Sequence, residues 1–198
     1  MVSAPYPGKM VNIGRQSLHI YSTGKKQSDD HPTVVLDSAL GLPWAIWSNV
    51  QKNVSKFARV CSYDRSGYGW SETNLDNIPR TSCIIADELY ILLKNAGEKS
   101  PYILVGHFFG GFNVRSFAKK HPKEVHSLVL VDASEEAFIK KIYKNKSFSF
   151  SENNLEARLY FEKYSSFFST EIIATILSLI ETEKANLASR KEITSILE

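Results

Sequence analysis

The ten residues 102–111, Tyr-Ile-Leu-Val-Gly-His-Phe-Phe-Gly-Gly, constrain this chain more than any other stretch. They open as an unbroken apolar run, the pattern of a strand buried on both faces. Glycines at 106, 110 and 111 then make a sharp turn, after which Val114, Phe117 and Ala118 recur at helical spacing. The helix ends at His121, because a residue before proline is biased away from helix. A buried strand, a tight turn and a helix, followed by the apolar run Ser-Leu-Val-Leu-Val at 127–131, is the grammar of a parallel sheet covered by helices.

The segments before this stretch obey the same grammar. Residues 10–14 and 17–21 are short strand-like runs split by Arg15 and Gln16, which reads as a hairpin. Residues 24–32 are polar and turn-rich. Residues 33–36, Thr-Val-Val-Leu, read as a buried strand leading into Asp37, Ser38, Ala39, Leu40 and Gly41. Between 44 and 57, Trp44, Trp47, Val50, Val54 and Phe57 recur at spacings of three and four, which predicts one amphipathic helix with those aromatics in the core. Residues 58–62 read as another strand, entering the tight loop Tyr-Asp-Arg-Ser-Gly-Tyr-Gly-Trp-Ser at 63–71. Its two glycines permit backbone angles closed to other residues. Thr81 is placed to cap a helix whose inner face is Ile85, Leu89, Leu92 and Ala96, and Gly97 stops it. The chain therefore divides at 134 into an α/β core, residues 1–134, and a helical cap-like segment, residues 135–198. Helices are expected over 135–146, 154–166 and 170–197, with an exposed Ser-Phe-Ser-Phe-Ser linker at 147–151.

With 198 residues, 43% of them hydrophobic, the chain can bury the core of one domain. Its net charge of +3 is mild, and no stripe of Lys and Arg interleaved with aromatics marks a nucleic-acid surface. The densest basic patch, Lys140, Lys141, Lys144 and Lys146, reads as a solvated helix face. Cys61 and Cys83 have neither metal-ligand spacing nor the density of a disulfide scaffold, and both are expected reduced and buried. No metal or cofactor is expected. No signal peptide is evident, and the longest apolar run, residues 172–180, is too short to span a bilayer. The expectation is a cytoplasmic protein.

Three features in this order resemble the α/β-hydrolase superfamily over residues 9–134: Asp-Arg-x-Gly-x-Gly-x-Ser at 64–71, Val-Gly-His-x-Phe-Gly-Gly at 105–111, and Pro-x-x-Val at 122–125 leading to Leu-Val-Leu-Val-Asp at 128–132. The resemblance implies a mostly parallel sheet with helices on both faces and relatives that hydrolyse esters or amides of small molecules. It makes Gly106, His107, Gly110 and Gly111 the frame of a nucleophile elbow, with the backbone N–H groups of Ala39 and Phe109 as the oxyanion hole. The nucleophile position falls on Phe108, which has no nucleophilic atom. Asp132 falls where some members keep the triad acid; with Glu135 three residues on, it also reads as a helix N-cap. Asp64 and Arg65 read as a turn-stabilising ion pair. His107 is expected to pack under the turn. His19, His31, His107, His121 and His126 all precede or accompany the sixth strand, so none occupies the family's place for the general base.

The expectation is thus a hydrolase-type core truncated after its sixth strand and catalytically inactive. The alternative is a non-catalytic module that binds a small apolar ligand, with Phe108, Phe109, Trp44 and the aromatics of the cap-like segment lining its cavity. An active enzyme using Cys61, Cys83 or Asp132 is disfavoured, because no base can be placed beside any of them. The strand at 127–131 is expected to lie on an open edge, an aggregation hazard that invites self-association.

Overall fold

A computed structural model describes residues 7–73, 79–133, 135, 137, 169–180 and 182–197. The hairpin forms as β1 (Lys9–Asn12) and β2 (Ser17–Thr23), paired antiparallel with Val11 opposite Leu18. β3 (Thr33–Asp37) is buried at every position, as its unbroken apolar run requires. β4 (Val60–Tyr63), β5 (Tyr102–His107) and β6 (Val125–Val131) complete a six-stranded sheet in the order β1-β2-β4-β3-β5-β6. β4, β3, β5 and β6 run parallel, so all four point their C-terminal ends the same way. Asp37 is opposite Gly106, which sets the end of β3 beside the turn that follows β5.

Helices cover both faces. On one, α2 (Ser82–Ala96) and α3 (Gly110–Lys120) bury Leu89, Leu92, Val114 and Phe117 against Leu18, Val35 and Leu104. On the other, Trp47 packs with Val34, Leu36, Val60 and Val105. The α2 boundaries follow from its sequence: the Thr81 side chain accepts a hydrogen bond from the Ile84 N–H, and Gly97 adopts the left-handed φ of 79°. α4 (Thr170–Ile180) and α5 (Glu183–Leu197) lie over the loops at the C-terminal ends of the strands. α4 buries Ile176 and Ile180 against Trp44 and Ala45.

Several expectations need correction. The predicted helix over 44–57 is a 3-10 turn (Trp44–Trp47) followed by α1 (Ser48–Val54). Because α1 ends early, its periodicity does not reach Phe57, which is 65% exposed, and Val50 also faces solvent. Cys83 is exposed, not buried, since the inner face of α2 is claimed by Ile85 and Leu89. The single helix over 170–197 is divided into α4 and α5. The expected helices over 135–146 and 154–166, the 147–151 linker and the basic patch at 140–146 lie outside the described residues. Among the described residues no helix is long and apolar enough to cross a membrane.

Candidate active site

The turn after β5 keeps a strained backbone at its apex. Phe108 has φ of 48°, a left-handed value that is unfavourable for a residue with a bulky side chain. Hydrogen bonds hold it there: the Phe108 N–H donates to the Val131 carbonyl (3.1 Å), and the Gly111 N–H donates to the Phe108 carbonyl (3.1 Å). Close approach explains two of the glycines. A Cβ on Gly106 would stand 2.6 Å from the Gly110 carbonyl oxygen, and one on Gly110 would stand 2.5 Å from that of Asp37. The strand, the turn and the end of β3 can meet only if both positions lack side chains. The Phe108 ring is half-buried beside Leu40, against a cluster of Ile85, Phe109 and Phe112.

Beside the turn lies a polar hub that the sequence does not announce. Arg65 uses all five of its guanidinium N–H groups. Its Nη1 donates to Asp37 (2.7 Å) and to the Ser38 carbonyl (2.7 Å), and Nη2 donates to the Ala39 carbonyl (3.0 Å) and to Glu192 (3.2 Å). Nε donates to the other Glu192 oxygen (3.0 Å). The plane also lies over the rings of Tyr68 (4.7 Å) and Phe109 (5.5 Å). Glu192, on α5, accepts a further bond from the Tyr68 hydroxyl (2.9 Å). Burial alone would lower the pKa of Arg65, but Glu192 and Asp37 outweigh it, and the group stays a fixed cation. One cation facing two buried carboxylates leaves a charge unmatched. Burial accordingly pushes the Asp37 carboxyl above its ordinary range, against the pull of Arg65 and the Tyr63 hydroxyl.

This hub sets the turn after β3. In a trans peptide the N–H points opposite to the preceding carbonyl, so drawing the Ser38 carbonyl onto Arg65 turns the Ala39 N–H the other way. Ala39 and Phe109 are both buried. Among the described residues neither of their backbone N–H groups donates to a protein acceptor.

Asp64 and Arg65 do not pair with each other, which corrects the expectation for them. Asp64 faces the other way, accepting from the Trp44 N–H (2.8 Å), the Trp70 N–H (3.2 Å) and His19 Nδ1 (3.0 Å). Gly69, with φ of 49°, is required because a Cβ there would stand 2.1 Å from the Asp64 carboxylate. His19 is fully buried, with its Nε2 2.6 Å from the Pro7 carbonyl and its ring packed against Trp44 and Trp70. Both nitrogens are engaged, so it is not placed to act as a base. His121 stacks on Tyr90 at 4.0 Å, and His31 bonds Ser28 on a loop at the far end of the sheet.

His107 lies half-buried, edge-on to Trp47 at 6.2 Å. Burial lowers its pKa, opposed in part by Asp132 nearby. Asp132 is exposed with φ of 46°, outside the extended region an N-cap adopts. A Cβ on Gly111 would meet the Ala133 side chain at 2.6 Å, so the end of β6 presses on the turn. Trp44 packs with α4, and Phe108 and Phe109 belong to the cluster with Ile85. The residues missed by sequence reasoning are Asp37, His19 and Glu192, none of which carries a local motif.

A mostly parallel sheet between helix layers, with a left-handed apex at the turn after β5, defines an α/β-hydrolase-type fold. The family model for the alpha/beta hydrolase fold matches residues 32–183, and the chain belongs to that family. It is 30% identical over 129 residues to a "Probable transporter" of Hormonema carpetanum, covering 64% of this chain and 18% of that protein. It is 41% identical over 88 residues to an uncharacterized protein of Schizosaccharomyces pombe, covering 43% of this chain and 16% of that one. The chain thus spans a small part of these curated relatives. Among solved structures, an enol-lactonase from Burkholderia xenovorans superimposes with a TM-score of 0.68 at 19% identity, over 93% of this chain and 72% of that one. An esterase from Thermogutta terrifontis also superimposes with a TM-score of 0.68, at 18% identity, over 98% and 73%. At such identities the likeness is one of fold.

Proposed function

We propose that this chain is a hydrolase-fold protein that does not turn over esters or amides by serine-type catalysis. The observation that carries this reading is Phe108. The left-handed apex that lifts a nucleophile above the sheet is kept at φ of 48°, but the side chain it presents is a phenyl ring. A ring carbon cannot form an acyl-enzyme, whatever base stands near it. The engagement of His19 by Asp64 and Pro7 supports the same reading, as does the packing of His107 against Trp47. Ala39 and Phe109 would then be an oxyanion hole without a reaction to serve, and Asp132 an acid position without a base.

The test is active-site titration of the purified chain on short-chain nitrophenyl esters. We expect no burst and no turnover that exceeds the variant Phe109→Pro, in which the candidate donor N–H is removed. A stoichiometric burst would overturn the reading. A second element of the proposal concerns β6, whose Leu128, Val129, Leu130 and Val131 are all exposed at the end of the sheet. An apolar edge of this kind favours pairing with a second copy.

A further inference from the structure

The four parallel strands have a second end, far from the Phe108 turn, and a pocket of about 340 Å³ opens there. From it we infer a binding site for a small organic anion with a flat apolar body, such as an aryl carboxylate. The volume lies in the lower range of small-molecule sites. Its floor is made by Val34 and Ile103, paired across β3 and β5, so the base is rigid. Phe57 stands at the rim, its ring largely in water although no turn or helix requires an aromatic there. A planar apolar guest would cover that ring and the floor together.

The charges select the sign of the guest. Lys26 donates to the carbonyls of Asp29 (2.7 Å) and Ser100 (2.8 Å), which fixes its ammonium without neutralising it and leaves a third N–H. Lys25, next to it, is exposed and makes no ion pair among the described residues. Arg59 is matched by Glu98 (2.7 Å) and therefore adds shape, not net charge. No carboxylate lines the pocket among the described residues. Asp29, on the same loop, is turned to Lys99 at 3.7 Å and lies in solvent. Two uncompensated ammonium groups above an apolar floor attract a single anionic head attached to an apolar body.

The test uses 2-naphthoate and its neutral counterpart 2-naphthamide, titrated into the whole chain and followed by backbone amide NMR. Saturable binding of naphthoate is expected, with shifts at Lys25, Phe57 and Ile103 and a millimolar or tighter constant that weakens as salt is raised. Lys25→Glu and Phe57→Ala should each weaken it by about fivefold or more, and naphthamide should bind by a similar factor less well. Both substitutions alter exposed side chains, and unchanged far-ultraviolet circular dichroism would confirm that the variants are folded. Absence of saturable binding would overturn the inference. So would equal affinity in folded variants, equal affinity for the amide, or shifts confined to residues 39–41 and 108–112.

Discussion

Replacing Gly110 by alanine tests whether the turn after β5 is still held by packing. At the start of α3, alanine is favoured over glycine by about 1 kcal/mol of helix propensity. Against this, the new Cβ would stand 2.5 Å from the Asp37 carbonyl oxygen and 2.9 Å from that of Ser38. Neither atom is a movable side-chain tip. Asp37 is locked into β3 opposite Gly106, and the Ser38 carbonyl is held by Arg65. Relief therefore requires β3 and α3 to separate by several tenths of an ångström within a close-packed core, for which overpacking costs of roughly 3 kcal/mol or more are reasonable. The net loss should be about 2 kcal/mol, and Gly110→Val should lose more. Gly97→Ala is the reference: its φ of 79° carries left-handed strain, but nothing lies within 4 Å of the new Cβ. It should cost about 1 kcal/mol. Urea unfolding followed by tryptophan fluorescence would show the difference, since about 2 kcal/mol moves the midpoint by roughly 1 M for a chain of this size. If Gly110→Ala proved as stable as Gly97→Ala, the close contact with β3 would be wrong.

Arg65→Met would leave Asp37 and Glu192 buried without a cation and should cost about 3–5 kcal/mol at pH 7. The deficit measured by urea unfolding should shrink as pH falls, because burial holds the Asp37 carboxyl above its ordinary range and its protonation removes an unpaired charge. Burial raises the pKa of Glu98, but its bonds to Arg59 outweigh that and hold it below the usual carboxylate range. A depressed carboxylate stabilises the fold above its unfolded pKa and loses that contribution as pH falls through its folded pKa. Glu98→Gln should therefore cost about 1–2 kcal/mol at pH 7 and progressively less on acidification, checked by urea midpoints across pH 3–7. Leu130→Lys, on the exposed β6 edge, should reduce concentration-dependent association in sedimentation velocity. An unchanged distribution, or a monomeric parent, would remove the proposed pairing.

The elements that could be read in advance are those whose cause is local. Thr81 and Gly97 mark the ends of α2 because capping acts within a turn, and the β3, β5 and β6 runs are apolar because each is a sheet strand. The glycines at 106 and 110 signal the tight turn for the same reason. What escaped was set by distance in the chain. Arg65 meets Glu192 across 127 residues, and no periodicity in either segment points to the other. Asp64 and Arg65 are adjacent in sequence, which suggests a pair, but successive positions at the end of a strand point to opposite sides. One therefore reaches His19 and the other Asp37. Phe57 continues the helical period of residues 44–54 in sequence, but α1 ends at Val54 and the ring faces solvent.

The central claim is that the apex geometry is kept while its chemistry is absent, and restoring the hydroxyl tests it most directly. Phe108→Ser should be purified and incubated with a fluorophosphonate, and the intact mass measured. Nucleophile and base act as a unit in serine hydrolases, so losing either costs nearly as much as losing the triad, on the order of a millionfold. With both His19 nitrogens engaged and the His107 ring turned against Trp47, the new serine should remain unmodified over hours and should give no burst on nitrophenyl esters. Rapid stoichiometric labelling at position 108 would contradict the account, because it would require a base and a formed oxyanion hole beside the turn.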